Sequence, residues 1–147
     1  MKTTIEVYND YSELPLWDEA IVEFIQLIQK DEQLDATSIT VVLVTDEYLR
    51  NLHREYLDDD TVTDVMTFNM VEGKPVEGEI YISVDRALDQ AAVYNASIET
   101  ELARLIVHGL LHLNGMDDHL EEERMMMRTS EDHYLAKYHQ KISNFSM

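Results

Sequence analysis

Two histidines four positions apart most constrain how this chain can fold. His108 and His112 lie in the stretch 97–119, SIETELARLIVHGLLHLNGMDDH, whose apolar residues recur with the period of a helix. Residues four apart share one face of a helix, with Cβ atoms about 5–6 Å apart, so the two imidazoles can bind one metal ion. Buried imidazoles need polar partners, which a metal ion and a nearby carboxylate would supply.

The end of this helix offers candidates for a third metal ligand. Gly115 can take the left-handed conformation that ends a helix, so the residues after it can fold back over the two histidines. Asp118 and His119 are then both in range. Imidazole is the better zinc ligand, whereas a carboxylate lowers the net charge of the site. Three protein ligands leave one position for water, as in catalytic zinc sites.

Gly109 follows the first histidine directly. It occupies the place of the glutamate in a His-Glu-x-x-His sequence, which disfavours a zinc peptidase. A glycine also costs about 1 kcal/mol of helix propensity relative to alanine. We therefore expect another segment or a substrate to approach the helix closely at this position.

Composition limits the remaining function classes. The 147 residues favour one domain, residues 1–147, and the absence of cysteine excludes thiolate ligands and disulfides. The net charge of −19 opposes general nucleic-acid binding unless basic groups gather locally. No apolar run has membrane-spanning length and the N-terminus lacks an apolar signal core, so we expect a cytoplasmic protein that does not enter membranes.

The apolar patterning predicts an α+β fold in which helices pack on a small mixed β-sheet. The continuously apolar segment 39–44 indicates a strand at the centre of the sheet, and the Gly/Pro turn at 73–75 indicates an antiparallel pair around it. Asp85 and Ser97 are candidate helix N-caps. The predicted strands are 3–8, 39–44, 63–70 and 78–85, and the predicted helices are 14–30, 46–56, 85–94, the stretch from 97 and a single last helix from 120 with Leu120 on its core side.

Three motifs resemble one known family. HGLLHLNGMDDH at 108–119 resembles the His-Gly-x-Leu-His-Leu-x-Gly-x-Asp-His signature of the YbeY family, bacterial metal-dependent endoribonucleases of rRNA maturation. TDVMTF at 63–68 and GEIYISVDRA at 78–87 are similar to two further family blocks in the same order. The resemblance implies a zincin-like fold, one Zn²⁺ per chain held by three ligands, and cleavage of single-stranded RNA linked to ribosome assembly.

The chain departs from the family pattern at two positions. The family's third histidine corresponds here to Asp118, with His119 one residue later, so either can be the third ligand and ligand preference favours His119. The family also carries an arginine seven residues before the Asp of the Thr-Asp-Val block. This chain has Leu57 there, with Arg54 about one helical turn earlier.

Together with the histidine pattern, the resemblance implies a zinc-dependent endoribonuclease acting on rRNA or other single-stranded RNA. We expect Thr63, Asp64, Thr67 and the exposed edge of the strand at 78–84 to line the substrate groove, and the sequence assigns no catalytic side chain. One alternative is a binding factor with a structural zinc that docks on a ribosomal protein or an assembly GTPase, which the acidic surface would suit. Another is a metal-dependent hydrolase of a different substrate.

Overall fold

A four-stranded mixed sheet forms the centre of the fold, in a computed structural model that describes residues 2–11, 13–57 and 63–146. The order across the sheet is β1-β2-β4-β3, in which β1, β2 and β4 run parallel and β3 pairs antiparallel with β4. The prediction of a central strand and of an antiparallel pair is therefore confirmed. The strands are β1 (Thr4–Asn9), β2 (Ala36–Val44), β3 (Val65–Asn69) and β4 (Val76–Ser83).

Helices cover both faces of the sheet, which confirms the α+β class. The larger core lies between the sheet and the helices α1, α4, α5 and α6, whereas α2 covers a small cluster of Val44, Leu49 and Met66 on the opposite face. No helix within the described ranges is both long and apolar enough to span a bilayer. The helices are α1 (Asp18–Glu32), α2 (Asp46–Leu57), α3 (Val84–Val93), α4 (Ile98–Leu113), α5 (Glu121–Lys137) and α6 (His139–Ser143).

Two predictions about β4 and α3 are wrong. The segment expected to present an exposed sheet edge is β4, which lies between β2 and β3, so the edge on that side belongs to β3. The N-cap of helix α3 is Ser83, two residues before the expected Asp85, because the Ser83 side chain accepts the backbone N–H of Arg86. Asp85 instead accepts hydrogen bonds from the Tyr11 hydroxyl at 2.7 Å and the backbone N–H of Asp46 at 2.8 Å.

The single last helix of the prediction is divided into α5 and α6 at Tyr138. The break turns the chain so that Ile142 and Phe145 enter the core, where Phe145 packs edge-on against Phe24 with ring centroids 5.4 Å apart. Leu120, expected on the core side, is 64% exposed because it precedes the first turn of α5.

Helix α4 packs unusually close to β4. Ser97 caps it as predicted, accepting the backbone N–H of Thr100 at 3.1 Å. A Cβ added at Gly109 would lie 2.8 Å from two carbons of the fully buried Ile80 in β4, so the approaching segment anticipated at Gly109 is this strand. Gly78 makes the reciprocal contact, since a Cβ there would lie 2.5 Å from Leu113 of α4.

We predict that Gly109→Ala destabilises the protein despite the higher helix propensity of alanine. The added methyl group would overpack the contact with Ile80, at a cost of about 1–3 kcal/mol in the free energy of unfolding. Urea denaturation measures this change. In an Ile80→Ala background, which removes the opposing carbons, the same substitution should cost less; a Gly109→Ala protein as stable as the parent would contradict the close contact.

Candidate metal centre

Three polar side chains meet where α4 ends and the chain turns back. The Nε2 atoms of His108 and His112 lie 3.1 Å apart, and Oδ2 of Asp118 lies 3.3 Å from each of them. Among the described residues, these three form the one group whose potential ligand atoms are close enough to share a metal ion. We call His108, His112 and Asp118 the ligand cluster.

The end of α4 explains how Asp118 reaches the histidines. Gly115 has a φ of 97°, as its predicted role requires, and its N–H donates to the carbonyl of His112 while the N–H of Met116 donates to that of Leu111. This pair of bonds is a Schellman motif, which reverses the chain direction at a helix end. Arg124 on α5 then holds the returning loop, since its Nη1 donates to the carbonyl oxygen of His119 at 2.8 Å.

The geometry of the ligand cluster fits zinc. Zn²⁺ binds nitrogen and oxygen ligands at about 2.0–2.2 Å, so neighbouring ligand atoms of a tetrahedral site lie about 3.3 Å apart. The observed separations of 3.1 and 3.3 Å meet that requirement without rearrangement. Two imidazoles and one carboxylate are also a donor set that Zn²⁺ accepts, and they leave a fourth position open.

His119 lies outside this cluster. Its side chain is exposed and lines the neighbouring groove, while its backbone carbonyl accepts the hydrogen bond from Arg124. The side chain of Asp118, by contrast, is 30% exposed and points at both histidines. The geometry therefore favours Asp118 as third ligand, whereas ligand preference alone favours His119.

Glu131 on α5 orients the first histidine. Its buried carboxylate lies 2.8 Å from Nδ1 of His108 and, through the other oxygen, 2.9 Å from Nη1 of Arg104. Burial disfavours the charged form of His108, but the hydrogen bond to Glu131 and the charges of Glu131 and Asp118 outweigh it and raise the histidine pKa above its ordinary value. The sequence indicates the need for such a carboxylate, but 23 positions separate Glu131 from His108, and no local pattern identifies it.

A groove of about 820 Å³ opens from the ligand cluster along the edge strand β3. Thr63, Asp64 and Thr67 all line it, and Nε2 of Gln90 donates to the Asp64 carboxylate at 3.1 Å. His53 of α2 faces the same groove.

The two residues considered for the family arginine lie on α2. Leu57 is its last residue, and the guanidinium of Arg54 donates to the side chain of Asn51 at 2.6 Å. Within the described part of the chain, the residues lining the groove include His53 but not Arg54.

The family model and two relatives that match this chain carry the same name, and the family model covers nearly the whole chain. The model of the family described as Endoribonuclease YbeY matches residues 4–139. The Endoribonuclease YbeY of Chlorobaculum tepidum is 40% identical over 117 residues, which cover 80% of this chain and 85% of that protein. The Endoribonuclease YbeY of Flavobacterium johnsoniae is 34% identical over 122 residues, covering 83% and 88%.

A solved structure has the same fold. The solution structure of TM1509 from Thermotoga maritima superposes with a TM-score of 0.63 at 27% identity, and the match covers 99% of this chain and 97% of that one.

We predict that Glu131→Gln weakens zinc binding by about 10- to 100-fold, because the amide no longer fixes His108 with a charged acceptor. Competition with a chromophoric chelator measures the affinity. Asp132→Asn is the matched control, since Asp132 also pairs with Arg104, at 2.7 Å, but makes no described contact with His108. Equal zinc affinities of the two variants would contradict the role assigned to Glu131.

Proposed function

Because the chain belongs to the Endoribonuclease YbeY family, we propose that it is a zinc-dependent endoribonuclease that cleaves single-stranded RNA during rRNA maturation and ribosome assembly. The observation that carries this proposal is a ligand cluster of zinc geometry with one open position, set at the end of a groove. We propose His108, His112 and Asp118 as the metal ligands and the cytoplasm as the place of action, with the whole chain acting as one domain.

Residues in and around the cluster orient its ligand atoms and supply negative charge for zinc binding. Glu131 accepts the Nδ1–H of His108, which leaves the Nε2 lone pair facing the other two ligands. The negative charge of Asp118 partly balances the charge of the ion. When bound, zinc supplies a water of lowered pKa as nucleophile and a Lewis acid for the phosphoryl oxygens.

The groove along β3 provides the complementary groups for an RNA strand. The hydroxyls of Thr63 and Thr67 can donate hydrogen bonds to phosphate oxygens, whereas the carboxylate of Asp64 can accept them from sugar hydroxyls. Gln90 fixes that carboxylate, so it does not need to be reoriented when substrate binds.

The alternatives are not favoured. A structural zinc would be closed by four protein ligands, whereas among residues 2–11, 13–57 and 63–146 three meet at this point and an open groove adjoins them. The relatives named above are endoribonucleases, which disfavours a different substrate. The acidic surface, with a net charge of −19, still suits contact with a basic ribosomal protein or an assembly GTPase, and we propose such a partner as an addition to the RNA substrate.

We predict that alanine substitution separates the two candidates for the third ligand. Asp118→Ala should lower zinc affinity and RNA cleavage by about 100-fold or more, as should His108→Ala and His112→Ala, because each removes a ligand of the cluster. His119→Ala should leave zinc affinity within a few-fold of the parent. Metal analysis after dialysis and a gel assay with single-stranded RNA provide the measurements. The opposite order of effects would assign His119 as the ligand.

We predict that zinc stabilises the fold without being required for it. The core is built from apolar contacts between helices and sheet, so a chelator should lower the melting temperature but leave a cooperative unfolding transition. Free zinc at about 100 times its Kd should raise the free energy of unfolding by about 2.7 kcal/mol. The double variant His108→Ala/His112→Ala should show no such response, and complete unfolding by chelator would favour a structural zinc.

A further inference from the structure

A second cavity, of about 310 Å³, lies on the other side of the ligand cluster, where α3, α4 and α5 come together. It shares Asp64, His108 and Asp118 with the groove, so the cluster stands between the two spaces. Its further lining includes Glu101, Arg104, Arg124, Arg128 and Tyr94, none of which belongs to the ligand cluster.

Glu101 contributes to this cavity a buried carboxylate whose role the metal centre does not explain. Its side chain is only 4% exposed, yet its carboxylate has no hydrogen bond or ion pair with any residue that the structure describes. Every fully buried side-chain polar atom of the described residues does have a partner, so the carboxyl oxygens of Glu101 reach the cavity surface. Burial raises the pKa of Glu101, because desolvation disfavours the charged carboxylate more than the nearby charge of Arg104 favours it. A buried group that costs stability in this way is typical of a binding site.

The cavity also gathers positive charge. Of the 11 lysines and arginines of the chain, three line this space, whereas the described lining of the groove along β3 includes no lysine or arginine. Arg104 forms ion pairs with Glu131 and Asp132. Arg124 donates a hydrogen bond to the backbone carbonyl of His119. Arg128 is exposed and lies over the ring of Tyr94 at 5.7 Å, a position from which it can also contact a phosphate.

We propose that this cavity binds the nucleoside next to the cleaved phosphodiester, with Glu101 accepting a hydrogen bond from it and Arg128 contacting its phosphate. The inference rests on the proposed RNA substrate. It deepens that function by adding a subsite on the side of the cluster away from β3.

The chemistry of Glu101 selects the kind of ligand. A carboxylate accepts hydrogen bonds and repels phosphate, so within an RNA strand its partner has to be a ribose 2′-hydroxyl or a base N–H group. The exposed ring of Tyr94 can stack on a base, and Arg128 beside it can pair with the adjoining phosphate.

The position of Glu101 sets it apart from the ligand cluster. Seven residues of helix separate it from His108, which corresponds to about 10 Å along the axis. Proton transfer to or from the reacting atoms requires about 2.6–3.2 Å. Glu101 is therefore a binding residue for a neighbouring part of the strand.

The test compares Glu101→Gln with Glu122→Gln, an exposed acid of α5. Binding of a fluorescein-labelled single-stranded RNA octamer is measured by anisotropy in EDTA, where cleavage is blocked. We expect Glu101→Gln to weaken RNA binding about tenfold. Simple electrostatics requires the reverse, because loss of a negative charge should strengthen RNA binding slightly, as we expect for Glu122→Gln. The unfolding free energy of Glu101→Gln should equal or exceed that of the parent.

A DNA octamer of the same sequence identifies the donor. If the effect of Glu101→Gln vanishes with DNA, the donor is the 2′-hydroxyl; if it persists, the donor is a base N–H group, and both results support the subsite. Arg128→Gln should lower the slope of log affinity against log salt by about 0.7, whereas the exposed Lys30→Gln should not.

The outcomes separate this inference from the proposed activity. A parent protein that cleaves RNA, with Glu101→Gln unchanged in RNA affinity, overturns the subsite alone. So does a loss of stability in Glu101→Gln without a loss of affinity, because it assigns Glu101 a structural role. A parent that binds RNA but does not cleave it overturns the proposed activity alone, and a parent that does not bind RNA overturns both.

Discussion

The close contact between α4 and β4 determines where the chemistry of this protein can take place. At Gly109 and Gly78 the helix and the strand approach to a distance at which even a methyl group would collide with Ile80 or Leu113. This contact fixes the height of the helix above the sheet, and with it the side on which His108 and His112 emerge. A looser contact would leave the imidazoles free to shift by more than the tolerance of a metal site.

Residues near in sequence were predictable, and residues brought together by the tertiary fold were not. The histidine pair, the Ser97 cap and the turn at Gly115 depend on interactions within a few residues, so local patterns predict them. Glu131 becomes a partner of His108 only after α5 has folded back along α4. The burial of β4 depends likewise on β3 pairing outside it, which no alternation within β4 reveals.

The third ligand shows how two physical criteria can favour different residues. Ligand chemistry favours His119, because imidazole binds zinc well. The backbone after Gly115 instead brings Asp118 over the histidines and directs His119 toward the groove. In a protein of net charge −19 a carboxylate ligand adds to an existing excess of negative charge, and the nearby arginines on α4 and α5 offset it locally.

The placement of the ligand cluster between a groove and a cavity has a mechanical consequence. A strand that occupies both spaces has to follow the protein surface past the cluster, since Asp64, His108 and Asp118 line both spaces. A flexible single strand bends at little cost, whereas duplex DNA resists bending over a persistence length of about 50 nm, and a paired RNA helix is also a stiff rod. Selection of unpaired substrate can therefore follow from stiffness, without any side chain that recognises base pairing.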